Sequence, residues 1–98
     1  MISVKKYKHG EETLITACDE NLIGKKFTEG KFQIDVTKKF YDGMRVDKKT
    51  LIRFLKTATI ANLVGEETIK YAIECGIIDP ENVLRVKGVP HAQMVKML

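Results

Sequence analysis

The hydrophobic periodicity of this 98-residue chain changes near Asp47, and that change restricts the fold more than any other feature. Before Asp47, apolar and polar residues alternate over short segments, as they do in half-buried β-strands. The clearest case is residues 31–36, where Phe32, Ile34 and Val36 alternate with polar residues. After Asp47, apolar residues recur at the three- and four-residue spacing of amphipathic helices. Strands followed by helices predict an α+β domain.

The N-terminal half is expected to contain short strands joined by tight turns. Residues 2–8 and 13–18 are rich in β-forming residues and flank a polar gap with a glycine, which predicts a hairpin. A short strand at residues 26–28 should turn at Gly30 into the strand at residues 31–36, whose apolar side chains should share one buried face. The other N-terminal segments are predicted to be a helical turn at residues 19–24 and a helical turn or loop at residues 37–43.

The C-terminal half is predicted to contain two helices. Asp47 should cap the first helix, because its carboxylate can accept hydrogen bonds from free N–H groups of the first turn. Residues 57–64 are apolar on nearly all sides, which predicts a buried or bent continuation of this helix that ends at Gly65. A second helix is predicted at residues 66–75, with Glu–Lys pairs one turn apart. A turn or short helix should start at residues 79–80, and a closing strand should follow at residues 83–86.

These elements predict one α+β domain over residues 1–98, with a small antiparallel or mixed sheet packed against two main helices. The N-terminal strands and one C-terminal strand should build that sheet. No apolar run approaches the ~20 residues that cross a membrane. Cys18 and Cys75 lie far apart, and the N-terminus lacks the apolar run of a signal peptide, which favours the reducing cytoplasm. The cysteines and histidines show no metal-ligand spacing, so neither a metal nor a cofactor is expected.

Several motifs together resemble one known family. Three lie in the C-terminal half: ATIANLVGE at residues 58–66, DPENV at 79–83 and GVPHAQ at 88–93. Three more lie in the N-terminal half: ACDE at residues 17–20, LIGK at 22–25 and FYDG at 40–43. They are similar to an archaeal family catalogued as a domain of unknown function, number 424. The resemblance covers almost the whole chain and implies a stand-alone archaeal cytoplasmic protein. Because the family has no established activity, it assigns no role to any residue.

Positive charge is the main indication of function. Seventeen Lys and Arg residues stand against 13 Asp and Glu, a net charge of +4. Lysines are interleaved with aromatic residues, as on surfaces that bind RNA phosphates and stack on bases. The same pattern also fits a solvated sheet, because neighbouring strand residues point to opposite faces and the rings can be buried. The candidate binding residues from these clusters and from the first helix are Lys25, Lys38, Lys39, Tyr41, Lys49, Arg53 and Lys56.

His91 and Gln93 form a second candidate group. In an extended strand they lie on the same side, where they can hold a base edge, a carboxylate or a phosphate. Alternatively, they complete hydrogen bonds to neighbouring polar groups, as buried polar side chains usually do. Asn62, in an apolar segment, presents the same two possibilities.

These features favour a non-enzymatic module that binds RNA or a ribonucleoprotein. The alternative is a protein-interaction or scaffold domain that acts through an apolar surface or as a homodimer. An enzyme is the third hypothesis, in which Cys18 is a nucleophile and His91 its base, and it requires the two to lie within hydrogen-bonding distance. The only serine is Ser3, and no phosphate-binding loop motif is present. No catalytic residue is therefore assigned.

Overall fold

The computed structural model describes residues 1–97, which form a six-stranded main sheet, a separate two-stranded ribbon and three helices. The strands are β1 (Ile2–His9), β2 (Glu12–Asp19), β3 (Lys26–Glu29), β4 (Phe32–Asp35), β5 (Met44–Val46), β6 (Ile60–Val64), β7 (Leu84–Val86) and β8 (Val89–Val95). The helices are α1 (Lys38–Tyr41), α2 (Lys48–Thr57) and α3 (Glu66–Glu74), with 3-10 turns at Glu20–Leu22 and Pro80–Asn82. The predicted α+β class and the mixed sheet are confirmed.

The strand order of the main sheet is β5-β1-β2-β6-β8-β7. Neighbouring strands are antiparallel except β2 and β6, which run parallel. The ribbon, α1, β5 and α2 lie in the long crossover that a parallel pair requires. The predicted β1–β2 hairpin is present, and a second hairpin joins β7 to β8 through Lys87 and Gly88. Both of these turn residues have positive φ, 53° and 79°, which is the type I′ geometry that suits strand twist.

The predicted helical continuation through residues 57–64 is wrong. Helix α2 ends at Thr57, and β6 occupies Ile60–Val64 between β2 and β8. Leu63 and Val64 are both completely buried, although they point to opposite faces of the sheet. A strand covered on both faces is apolar on all sides, and periodicity alone does not distinguish such a run from a buried helix.

Carboxylates cap both main helices. Asp47 caps α2 as predicted, because it accepts a hydrogen bond from the N–H of Thr50 at 2.9 Å. Asp19, the last residue of β2, accepts two backbone N–H groups of the first turn of α3 at 2.9 and 3.1 Å, and the Thr68 hydroxyl at 2.8 Å. Gly65 therefore precedes α3 and does not end α2. It has φ 113°, and a Cβ there would lie 2.4 Å from the Asp19 carboxyl carbon, so glycine is needed at this junction.

Helix α3 confirms the second predicted helix, but its expected Glu–Lys pairs are replaced by tertiary contacts. Glu66 contacts Arg85 of β7, and Glu74 contacts Lys48 of α2 at 3.2 Å. No helix within residues 1–97 is long and apolar enough to span a membrane.

The two faces of the main sheet are covered differently. On the first, which we call the helical face, α2 and α3 pack on a large core that includes Ile15, Ala17, Leu51, Leu55, Leu63 and Ala72. On the other, the ribbon and α1 cover a smaller core of Cys18, Ile34, Val36, Tyr41, Val64 and Val86. Phe32 was expected to be buried with Ile34, yet it is 54% exposed. It pairs with Glu29 beside the turn of the ribbon, and the tip of the ribbon lies outside that core.

Candidate nucleic-acid interface

Cations from α2 and β1 form one surface on the helical face. Lys49, Arg53 and Lys56 are exposed along one side of α2, as predicted, within about 10 Å along the helix axis. Lys6 of β1 points to the same side, where it lines a shallow cavity of about 310 Å³ with Arg53 and three α2 residues, Thr50, Phe54 and Thr57. We call Lys6, Lys49, Arg53 and Lys56 the basic ridge.

The basic ridge has no acidic partner within residues 1–97. The ion pairs there join Arg45 to Glu20 and Asp42, Lys48 to Glu74, Arg85 to Glu66, and the N-terminal amine to Glu20. Hydrogen bonds from Thr50 lower the pKa of the Asp47 carboxyl, and Arg53 makes a smaller contribution. That carboxylate is already occupied as the cap of α2. The basic ridge therefore presents uncompensated positive charge to solvent.

The cavity beside the basic ridge is lined by two cations, two threonines and one aromatic ring. Lys6 and Arg53 supply its two cationic groups, and Phe54 is half-buried against the large core. The Thr57 hydroxyl donates to the Phe54 carbonyl at 2.7 Å. No carboxylate, imidazole or thiol lines the cavity. The arrangement can hold a phosphate through Arg53, whose planar fork suits phosphate oxygens, and through Lys6 as a point charge.

The other predicted lysines lie on the opposite side of the sheet, near α1. Lys25, Lys38 and Lys39 are all exposed, and we call them the α1 cluster. Lys38 passes beside Gly24, where its Cε would lie 3.7 Å from an added Cβ. The Lys39 carbonyl accepts a hydrogen bond from Lys5 Nζ at 2.7 Å. The structure thus divides the candidate cations into two groups on opposite faces, with β1 between them.

Tyr41 cannot be a stacking platform, and its assignment as a binding residue is wrong. Its side chain is 6% exposed, and its ring meets the Phe40 ring edge-on at 5.2 Å between centroids. Burial raises the pKa of the Tyr41 hydroxyl to about 12. Tyr7 also packs within the protein, because its ring centroid lies 5.5 Å from that of Phe40 and its hydroxyl donates to the Phe40 carbonyl at 3.1 Å. The Tyr7 and Phe40 rings cover one face of each other, and Lys5 Nζ lies 5.4 Å from the centroid of the Tyr7 ring.

His91 and Gln93 lie on the same side of β8, as predicted, but outside the basic ridge. The Gln93 amide donates to the Asn62 side-chain oxygen at 2.7 Å, across the register that places these two residues opposite each other. His91 is half-buried opposite Val64 of β6, and burial lowers the pKa of its imidazole. The Gln93 and Asn62 side chains are therefore hydrogen-bonded to each other, and His91 is neutral at neutral pH.

The hypothesised Cys18–His91 pair does not form. Cys18 lies opposite Val64, and Val64 lies opposite His91, so two interstrand spacings, about 10 Å, separate them. Burial, and then the Asp19 carboxylate, raise the pKa of the Cys18 thiol to about 12. The thiolate that nucleophilic attack requires is therefore disfavoured. Within residues 1–97, no group of three or more His, Cys, Asp and Glu side chains is placed to hold a metal ion.

Sequence reasoning missed Lys6 as a member of the candidate site. Its partner Arg53 lies 47 residues further along the chain, and only the packing of α2 on the sheet brings them together. The alternation of β1 does carry a signal. Lys6 shares a face with Ile2 and Val4, which belong to the core beneath α2 and α3.

Comparisons with known proteins define the fold and the family. The chain is similar to the crystal structure of an uncharacterized conserved protein from Methanopyrus kandleri, with a TM-score of 0.82 and 18% identity, over 99% of this chain and 94% of that chain. At this identity the likeness shows the fold alone. No curated protein matches the chain. The model of the family described as "Protein of unknown function (DUF424)" matches residues 7–97, so the chain belongs to the DUF424 family, as its motifs predicted.

Proposed function

We propose that this protein is a non-enzymatic module that binds the phosphate backbone of RNA, alone or within a ribonucleoprotein, on the basic ridge. One observation carries the proposal: Lys6 and the α2 cations Lys49, Arg53 and Lys56 are exposed together without an acidic partner in residues 1–97. Uncompensated cations at fixed spacing bind phosphates and release the counterions condensed on them. The resemblance of the sequence motifs to an archaeal family, and two distant cysteines that favour a reducing compartment, support an archaeal cytoplasmic setting.

The packing of Tyr7, Phe40 and Tyr41 favours RNA that is already folded. The exposed ring of Phe32 belongs to the ribbon, on the opposite face of the sheet from the basic ridge. Single-strand binders gain affinity from bases stacked on exposed aromatic side chains. Here Tyr41 is buried, and Tyr7 and Phe40 stack on each other, which leaves phosphate contacts as the main attraction. A backbone-directed surface senses the shape of a helix and discriminates weakly among sequences. We therefore expect an RNA hairpin to bind at least as tightly as a single strand of the same length.

Fluorescence anisotropy with labelled RNA tests this function. The hairpin and the single strand are titrated at several salt concentrations. Three or four phosphate contacts should give a log–log slope of about −3 to −4 on the duplex. Scrambling the sequence at constant structure should change the affinity little. Absence of binding to both RNAs at low salt would overturn the RNA function and leave the protein-interaction alternative.

A pair of charge-matched variants locates the binding surface. The ridge variant carries Lys49→Gln, Arg53→Gln and Lys56→Gln, and the control variant carries Lys25→Gln, Lys38→Gln and Lys39→Gln. Each removes three exposed positive charges, but only the first removes three of the four cations of the basic ridge. The ridge variant should bind about tenfold more weakly or worse, and its salt slope should be smaller by two to three, since about 0.9 is lost per contact. Equal losses in both variants would show that net charge, and not this surface, holds RNA.

A further inference from the structure

The backbone groups of β8 point alternately to its two sides. The Pro90 carbonyl accepts a hydrogen bond from the N–H of Gly65 at 2.9 Å, and the N–H of Lys96 donates to the Thr59 carbonyl at 2.7 Å. Both partners lie at the ends of β6. Even-numbered residues of β8 therefore direct their N–H and C=O groups toward β6, and odd-numbered residues direct theirs away from it.

Strand β7 covers only part of this outer edge. It reaches as far as Leu84, which pairs with His91. Gln93 and Val95 lie beyond that point, and no partner within residues 1–97 pairs with their outward N–H and C=O groups. The two residues are exposed, Val95 by 62%. This segment is thus an open strand edge of the kind that accepts one more strand.

We propose that a second copy of this chain pairs with this edge, β8 against β8, antiparallel about a two-fold axis at Val95. A strand that pairs antiparallel with its own copy is self-complementary, as a two-fold interface must be. Val95 then lies opposite Val95 of the second copy, and Gln93 lies opposite Met97 of the second copy. The outward groups of both residues are paired, and the two six-stranded sheets join edge to edge.

The side chains at this edge favour a second copy as the partner. Val95 and Met97, which is 88% exposed, are apolar, and Gln93 is neutral. Lys96 is the one charged residue between Gln93 and Met97, so the charge repulsion between two copies is smaller here than at β1. The uncovered segment of β1 has the opposite character. It carries Lys5, Lys6 and Lys8, and such lysines protect an edge against strand pairing. A second copy therefore approaches the β8 edge through its own β8 edge, and not through its β1 edge.

Sedimentation equilibrium tests the dimer with the full-length chain. We expect the mass to rise from that of one 11.1 kDa chain to that of two between about 1 µM and 1 mM, the range in which small interfaces associate. A single-chain mass throughout this range would overturn the proposal. Hydrogen exchange supplies an independent signature, because the Gln93 and Val95 amides should become protected at high concentration.

Two substitutions at one position separate the edge from any other interface. Val95→Pro removes an outward N–H and leaves the bonds to β6 in place, so it should weaken the dimer about tenfold or more. Val95→Thr keeps the N–H and a β-branched side chain, and it should still dimerise. Circular dichroism melting shows whether each variant is folded. A folded Val95→Pro variant that dimerises like wild type would overturn pairing at this edge. Neither result depends on RNA binding, which involves the opposite side of the sheet.

Discussion

The uncovered segments of β1 and β8 lie toward opposite edges of one sheet and differ mainly in charge. Both segments are uncovered because the outermost strands, β5 and β7, are only three residues long. Beyond β5, β1 carries lysines, and beyond β7, β8 carries Gln93 and Val95. A charged edge repels strands and attracts polyanions, whereas a neutral edge accepts a strand. One sheet thereby offers two surfaces with different chemistry.

The largest effect is expected at β6, on which both edges depend. Leu63 is completely buried beneath α2 and α3, so Leu63→Ala should lower the free energy of unfolding by about 2–5 kcal/mol. Ile60→Ala, at a half-buried position of the same strand, should cost less. Chemical denaturation followed by circular dichroism measures both. If the denaturation midpoint of Leu63→Ala equals that of wild type, β6 is not the central strand on which both edges of the sheet depend.

The next largest effects on stability are expected at the caps of α2, which carries the basic ridge, and of α3, which packs beside β8. Asp19→Ala removes three hydrogen bonds to the start of α3 and should cost about 1–2 kcal/mol. Asp47→Ala should have a smaller effect that depends on pH. The folded pKa of Asp47 is lowered, so its stabilisation is present above about pH 4 and is lost as the pH falls further. Denaturation at pH 7 and pH 3 distinguishes the two, and a larger loss for Asp47→Ala at pH 7 would contradict this order.

Mild acid should affect the β8 side through His91. Burial lowers the folded pKa of this imidazole, so the unfolded chain takes up its proton first as the pH falls below about 6.5. Stability should therefore be highest above that pH and should decline below it. His91→Leu should flatten the decline between about pH 6.5 and 5. Melting temperatures across this range provide the measurement, and equal slopes in wild type and variant would reject the assignment.

The smallest effect on stability is expected from removing the charges that protect β1. Lys6→Thr with Lys8→Thr should change the free energy of unfolding by no more than about 0.5 kcal/mol, because both side chains are exposed. The variant should nevertheless self-associate beyond a dimer, since a second edge with only one lysine, Lys5, becomes available. Lys25→Thr with Lys26→Thr removes the same charge away from the edge and should not. Light scattering over a concentration series compares them, and identical profiles would show that lysines do not protect β1.

Local chemistry made much of the fold predictable. The β1–β2 hairpin, the Asp47 cap and α3 depend on residues close in sequence, and all three are present. Residues 57–64 were misassigned because a run that is apolar on every side fits both the helical and the strand period of hydrophobic residues. The exposed stripe on α2 was likewise predictable, whereas the burial of Tyr41 depends on α1 packing over β2, which no local pattern specifies.

The sequence by itself determined the α+β class, the β1–β2 hairpin, the N-cap of α2 and the family motifs, because each depends on neighbours within a few residues. Only the tertiary structure decided that residues 60–64 form the strand beside β2, that Lys6 lies with Arg53, and that Cys18 and His91 stand two strands apart. It also decided that short outer strands leave β1 and β8 partly uncovered. These facts depend on which strands become neighbours, and burial of the whole core selects that order over many residues at once.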